Sequence, residues 1–286
     1  MNTSDENATS SGFSIEFFPP RTAHGQEKLL AVHDKLAALH PDFFSVTYGA
    51  GGSTREGTRA TVMSLMERGS IAAPHLSFGG STDSEMLELL KSYQDAGINR
   101  LVLLRGDIPS GLGAASQHRY ASELVEFVRS ETGSHFHIDV ACYPEIHPDA
   151  PDYLSDISFF KIKADAGADS AITQYFYNPD AYFYFVDQCR LAGINIPIVP
   201  GIMPITNYAN LARFSNNCGA EIPRWIKQRL ESFGDDVESI RSFGVDVATS
   251  LCDNLLAGGA PGLHFYAMNQ AASVSAIWNN LDLSNR

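Results

Sequence analysis

Only four cysteines occur in 286 residues, Cys142, Cys189, Cys218 and Cys252, with no C-x-x-C pair and no metal-ligand spacing. That argues against a disulfide framework and a cysteine-built metal site, and it makes a reduced cytoplasm the expected compartment. No apolar run approaches the roughly 18 residues that a membrane helix requires, so no membrane span is expected. Charged residues are few, and cations are the scarcer sign: 20 Lys and Arg stand against 33 Asp and Glu, a formal charge of −13. Such a field repels phosphate backbones and anionic lipid surfaces, which sets aside nucleic acid and membrane as partners. An anionic ligand would have to be held by a few well-placed cations, so single Arg and Lys residues become informative. Residues 1–12 hold neither a basic stretch nor an apolar one and read as a disordered tail ahead of one domain over 13–286.

What the chain does have is a regular beat. Short β-branched and aromatic runs predict eight strands at 13–17, 43–47, 72–76, 100–104, 137–141, 170–174, 197–200 and 262–266. Between them lie stretches with apolar residues at helical spacing, such as Leu29, Val32, Leu36 and Leu39, or Met86, Leu90 and Tyr93. Ser53-Thr-Arg-Glu56 and Thr82-Asp-Ser-Glu85 read as capping boxes, and Gly97, Gly133, Gly167 and Gly193 stand where helices should stop. Extra helices are expected between the seventh and eighth strands, around 223–233 and 237–256. Eight strands, each followed by a helix, predict an α/β fold of the (β/α)8 TIM-barrel class. The rival, an open doubly wound sheet, usually carries G-x-G-x-x-G after its first strand, where this chain has Phe17-Phe-Pro-Pro20.

A barrel places its chemistry at the carboxyl ends of the strands. That filter selects Glu16, Thr47 and Tyr48, His75, Arg105-Gly-Asp107, Tyr143-Pro-Glu-Ile-His147, Gln174, and Asn269 with Gln270. Glu16 stands inside an otherwise apolar strand, where an unpaired carboxylate would carry a desolvation cost of several kcal/mol. A proton-bearing carboxyl able to act as a general acid is one reading, and an ion pair with Arg21 or a solvent-facing position on an edge is the other. Thr47-Tyr-Gly-Ala-Gly-Gly-Ser-Thr54 is either a loop that brings backbone N–H groups to a flat or anionic ligand or an ordinary tight turn. Arg105 and Asp107 could serve a phosphate and a polar ring edge, or could pair with each other; Lys163 is a second phosphate partner or a solvated helix lysine. His135, His137 and Asp139 alternate as metal ligands might, but they open the fifth strand, at the stabilising end of a barrel. No metal site is expected. Without a G-x-S-x-G elbow, a serine hydrolase has little support.

In order and spacing these residues resemble the methylenetetrahydrofolate reductase family. The blocks that carry the resemblance are Ser14-Ile-Glu-Phe-Phe-Pro-Pro20, Val46-Thr-Tyr-Gly-Ala50, Ala73-Pro-His-Leu76, Leu104-Arg-Gly-Asp107, Tyr143-Pro-Glu-Ile-His-Pro148, Ile172-Thr-Gln174, Pro200-Gly-Ile202 and His264-Phe-Tyr266. The resemblance implies an FAD-containing barrel that uses NADH to reduce 5,10-methylenetetrahydrofolate to 5-methyltetrahydrofolate, ping-pong through the flavin, supplying methyl groups for methionine synthesis. It also implies a homo-oligomer. Glu16 would be the acid that protonates the folate nitrogen, and Asp107 the second catalytic acid, beside the flavin. Thr47, Tyr48, His75, Arg105, Gly106, Asp107, Tyr120, Ala121, Tyr143, His147, Asp156 and Lys163 would hold FAD. Glu16, Thr47, Asp107, Gln174, Asn210, Phe214 and Gln270 would meet the substrate, with Gln270 standing where an Arg can contact the folate glutamate tail. Two other readings stay open: a different FAD-dependent barrel oxidoreductase, and a metal-dependent barrel hydrolase built on the histidines.

Overall fold

The computed structural model describes residues 12–48, 55–79, 81–105 and 120–285. Its strands are β1 (Gly12–Phe17), β2 (Phe43–Val46), β3 (Ala72–Leu76), β4 (Arg100–Leu103), β5 (His137–Cys142), β6 (Ser170–Thr173), β7 (Ile198–Val199), β8 (Gly201–Ile202) and β9 (Gly262–Tyr266). They pair in parallel in the order β7-β6-β5-β4-β3-β2-β1-β9-β8. Because β7 and β8 are separated by one residue, that order closes on itself, and the (β/α)8 barrel expected from the strand-helix beat is what forms.

The seventh strand is broken rather than continuous. Pro200 has no N–H to give to a ladder, so β7 pairs with β6 and β8 with β9, while the Pro200 carbonyl accepts the His264 N–H at 3.0 Å. The amino-terminal boundary also moves: Gly12 belongs to β1, its N–H donating to Pro261 O at 2.9 Å, and it lies so close to Gly262 that a side chain on the latter would strike its backbone.

The helices are α1 (Ala23–Ala37), α2 (Arg55–Glu67), α3 (Asp83–Asp95), α4 (Ala121–Thr132), α5 (Tyr153–Asp165), α6 (Pro179–Leu191), α7 (Tyr208–Cys218), α8 (Arg224–Phe233), α9 (Val237–Ala257) and α10 (Ala272–Asn280). Local chemistry sets their ends. At α3 the Thr82 hydroxyl accepts the Glu85 N–H at 3.3 Å and the Glu85 carboxylate accepts the Thr82 N–H at 2.8 Å, the reciprocal box expected there. For the corresponding motif before α2, Ser53 and Thr54 lie outside the described residues. Gly97 and Gly193 leave their helices at φ +79° and +80°, a conformation that costs glycine little.

Strand alternation sends Ile15, Phe17, Phe44, Val46, Leu101 and Leu103 outward into a core with Leu29, Leu36, Val62, Leu65, Met86 and Leu90 of the helices. Phe17 stacks on Phe44 at 5.4 Å; burying each such side chain stabilises the fold by about 1.5–3 kcal/mol. Inward residues form a smaller plug of Phe43, Ala73, Val102 and Ile172. A separate cluster joins Tyr175, Tyr177, Ile205 and Leu211 to Ile226, Leu230, Ile240 and Val247, so the extra helices pack beside the carboxyl ends of the late strands.

Candidate functional site

Period-two geometry turns Ser14 and Glu16 of β1 into the barrel, toward β9 on one side and β2 on the other. Glu16 keeps 14% of its side chain exposed, and its Oε2 lies 3.4 Å from His75 Nε2 and 3.5 Å from His264 Nε2. The expected alternative, a pair with Arg21, is not what forms. His264 is fully buried, and its Nδ1 is hydrogen-bonded to Ser14 Oγ at 2.7 Å, so its orientation is set from behind. Burial pushes the His75 imidazole below its ordinary basicity, against the nearby Glu16 charge, which keeps its ring neutral around pH 7. Among the described residues, both His75 ring nitrogens are buried without a hydrogen-bond partner, as is Ser45 Oγ of β2, across from Glu16. Unpaired polar atoms in a buried setting are costly, which marks this end of the barrel as one whose polar groups lack partners among the described residues.

Around this centre, Thr47 follows β2 and its carbonyl accepts the Thr58 hydroxyl at 2.8 Å. Tyr48 lies beside Gly79, and burial pushes its phenol up. Gly106 and Asp107 lie outside the described residues, as do positions 49–54 of the Gly-rich loop. Arg105 reaches outward and pairs with Asp149 at 2.6 Å rather than standing free. Lys163 is not the solvated helix lysine that the sequence allowed: its Nζ folds inward and donates to Ala141 O at 2.5 Å, and burial lowers its basicity against the pull of Asp156. Asp156 in turn accepts the His147 N–H at 2.8 Å, and burial pushes its carboxyl up. His147 packs edge-on against Tyr143 at 4.4 Å, and burial pushes the Tyr143 phenol up to about 12. Tyr120 is 62% exposed at the start of α4, next to Ala121. The His75 ring and the exposed Tyr120 offer polar and flat surface to a ring system, whereas Arg105 would have to exchange Asp149, and Lys163 the Ala141 carbonyl, to meet a diphosphate.

On the other side, Gln174 follows β6 and accepts the Tyr175 N–H at 3.0 Å. Phe214 of α7 packs at the edge of the cluster that also meets Tyr266 of β9. Asn210 is exposed on the first turn of α7, hydrogen-bonded by Arg213 at 3.2 Å, and Gln270 is exposed before α10. Asn269 ties the β9 end to the β1 end, its amide bonding both the N–H and the carbonyl of Phe18 at 3.0 and 2.9 Å.

Ser14, His264 and Tyr266 were not selected from the sequence. Tyr266 donates to Thr173 O at 2.7 Å across the break in the seventh strand, and a side chain on Gly201 would come within 2.7 Å of its ring. Their signal was the polar alternation Ser14/Glu16 and His264/Tyr266 inside strands that otherwise want burial.

The histidines at the opposite end do other work. A recess of about 860 Å³ lies among Asp42, Arg100, Arg129, His135, His137 and Asp169 at the starts of the strands. Asp139 is held by Arg100 at 2.7 and 2.9 Å and by Ser170, and His137 bonds Ser170 at 2.8 Å. Among the described residues, no group of three His, Cys, Asp or Glu is arranged to hold a metal ion.

Compared with known proteins, residues 2–282 match the family model described as methylenetetrahydrofolate reductase. The 5,10-methylenetetrahydrofolate reductase of Escherichia coli (strain K12) is 38% identical over 269 residues, 94% of this chain and 90% of that enzyme. Methylenetetrahydrofolate reductase (NADH) 1 of Arabidopsis thaliana is also 38% identical, over 95% of this chain but 48% of its own length. Among solved structures, an uncharacterised protein from Clostridium thermocellum that binds two copies of 5-methyl-5,6,7,8-tetrahydrofolic acid superposes with a TM-score of 0.68 at 17% identity, covering 96% of this chain and 94% of its own; that likeness is one of fold.

Proposed function

We propose that this chain, which belongs to the methylenetetrahydrofolate reductase family, reduces 5,10-methylenetetrahydrofolate to 5-methyltetrahydrofolate with FAD as resident carrier and NADH as donor, the two substrates using one site in turn. Bound FAD supplies hydride transfer from the nicotinamide to the one-carbon unit of the folate. His75, Tyr143, His147 and the backbone after β2 would hold its ring system, Arg105 and Lys163 its diphosphate, and Tyr120 with Ala121 and Asp156 the rest. Gly106 and Asp107 complete the set on the resemblance alone, with Asp107 offering a negative charge to the cationic folate iminium.

The observation that carries the reading is Glu16, a carboxyl at the carboxyl end of β1 with two imidazoles within 3.5 Å, that of His264 hydrogen-bonded to it. Its work is to give a proton to the folate ring nitrogen that departs as the five-membered ring opens, which makes the one-carbon unit electrophilic. His264, oriented by Ser14, keeps the carboxyl aimed, and neutral His75 places no fixed positive charge against it. Gln174 would hydrogen-bond the pterin edge, Asn210 and Gln270 the outer part of the folate, and Phe214 would stack on whichever flat ligand is present. Four free cysteines fit a cytoplasmic setting, and a homo-oligomer is the assembly this reading carries.

Anaerobic stopped-flow on flavin-loaded protein tests it. NADH should bleach the flavin and methylenetetrahydrofolate should restore its colour; bleaching without recovery would sink the folate assignment. Glu16→Gln should keep bleaching by NADH while slowing folate-dependent recovery by about 10²–10⁴-fold.

A further inference from the structure

Helix α7 carries Phe214, and two contacts fix where that helix lies. Tyr175 OH, just after β6, is 3.0 Å from Ser215 Oγ, one residue beyond Phe214. Glu145 Oε2, on the loop after β5, accepts the backbone N–H of Glu221, just past the end of α7, at 2.8 Å. The two loops approach closely: Gly219 ends α7 at φ +76°, and a side-chain carbon there would lie 3.2 Å from Pro148 Cγ and 3.6 Å from Ile146 O.

The β5 loop is under strain at this point. Ile146, β-branched, sits at φ +72°, a region such residues rarely enter unless their surroundings force them. Its neighbours explain what the strain achieves. On one side the His147 N–H is committed to Asp156 of α5; on the other, Glu145 is turned toward the end of α7. Burial pushes the Glu145 carboxyl up while the bond from Glu221 N–H opposes that, and among the described residues no cation pairs with it. An acceptor for a backbone N–H, rather than a charge partner, is the use to which this side chain is put.

We propose that Glu145 is a positioning residue for the reaction, fixing the end of α7 to the β5 loop and so holding Phe214 of α7 against the cluster of Tyr175 and Leu211. The loop that presents His147 to the flavin side thereby also locates the aromatic that meets the exchanging ligands. This rests on the reading that Phe214 contacts NADH and folate.

The test uses flavin-loaded protein and both half-reactions in anaerobic stopped-flow, with Glu145→Ala, Glu145→Gln, Phe214→Leu and the Glu145→Ala/Phe214→Leu pair. Glu145→Ala should keep its flavin content and raise the apparent dissociation constants for NADH and methylenetetrahydrofolate about fivefold, with limiting rates within about twofold. Glu145→Gln, which retains a carbonyl acceptor, should bind both within about twofold of the unaltered protein. In the Phe214→Leu background Glu145→Ala should add nothing further, because both changes act on one contact. Unaltered dissociation constants in Glu145→Ala would overturn the proposal, as would failure of Glu145→Gln to rescue or full additivity in the pair. If Phe214→Leu alone leaves both half-reactions untouched, the fault lies in the reading of Phe214, and the proposal falls with it.

Discussion

Single buried imidazoles give the protein a pH response whose direction follows from where they sit. His33, on the buried face of α1, is bonded to Ser70 Oγ at 2.8 Å and packed on Phe44 at 4.8 Å, and burial lowers its basicity despite the neighbouring Asp34. Burial does the same to His75 and, less completely enclosed, to His147. Each is a base that the native state prefers neutral, so its native pKa lies below the unfolded value near 6.5. Between those two values the unfolded chain binds the extra proton, and stability rises with pH. Stability should therefore be fully present above about pH 6.5 and be lost as pH falls toward the lowered native values. Urea unfolding between pH 5 and pH 8 measures this. His33→Gln, which removes one such base far from the catalytic mouth while retaining a polar partner for Ser70, should flatten the slope; an unchanged slope would assign the effect elsewhere.

At the scale of strands and helices, the start of the barrel is locked by one ion pair between neighbouring strands. Asp139 of β5 has no exposed surface, and burial alone would push its carboxyl up; the neighbouring His137 ring at 3.7 Å and the bonds from Arg100 instead hold it well below the usual carboxylate range. Arg100 of β4 also lies over the Phe43 ring of β2 at 3.8 Å, so three strands meet in this contact. Removing the acid strands a largely enclosed guanidinium, and Asp139→Ala should lower stability by about 3–5 kcal/mol. Its half-reaction rates, measured where the protein is folded, should match the unaltered protein, since Glu16, the proposed acid, lies at the other end of the barrel; a slowed folate half-reaction would mean that the two ends are coupled. The distinction between ends was legible beforehand, because the strand-helix beat alone assigns each polar residue to the start or finish of its strand. Glu16, Tyr143 and Gln174 could be picked out on that basis. Ser14 and His264 could not, since what gives them meaning is contact between β1 and β9, 250 residues apart. Nor could the break at Pro200 be placed, since only pairing partners reveal that one predicted strand serves two neighbours. Lys163 is similar: its position on a helix is readable, but its inward turn depends on a contact with Ala141 of β5, 22 residues earlier.

Across the whole molecule, the charge of −13 sets a problem that the local structure makes sharper. NADH and folate are both anions, and the two cations assigned to the ligand side are already occupied. Arg105 is engaged by Asp149, whose carboxyl its bond holds below the ordinary range, and Lys163 is turned onto a carbonyl with its basicity reduced by burial. Gln270, on the folate side, is neutral. On the proposed function, attraction at long range would therefore not gather these ligands; the net field would act against their approach, and binding would draw on stacking and hydrogen bonds within a few ångströms. Added salt shortens the screening length from about 30 Å at 0.01 M to about 10 Å at 0.1 M, which weakens repulsion from distant acids more than it weakens close contacts. The association rate constant of NADH with the flavin-loaded protein should hold steady or rise over that range of ionic strength, measured as the concentration dependence of flavin bleaching. Arg105→Met should raise the dissociation constant for flavin while leaving this salt profile flat, because Arg105 contributes at contact distance and its outward charge is already cancelled by Asp149. A steep fall in association rate with salt in the unaltered protein would instead require a cluster of uncompensated cations near the mouth, and the balance of attraction drawn here would be wrong.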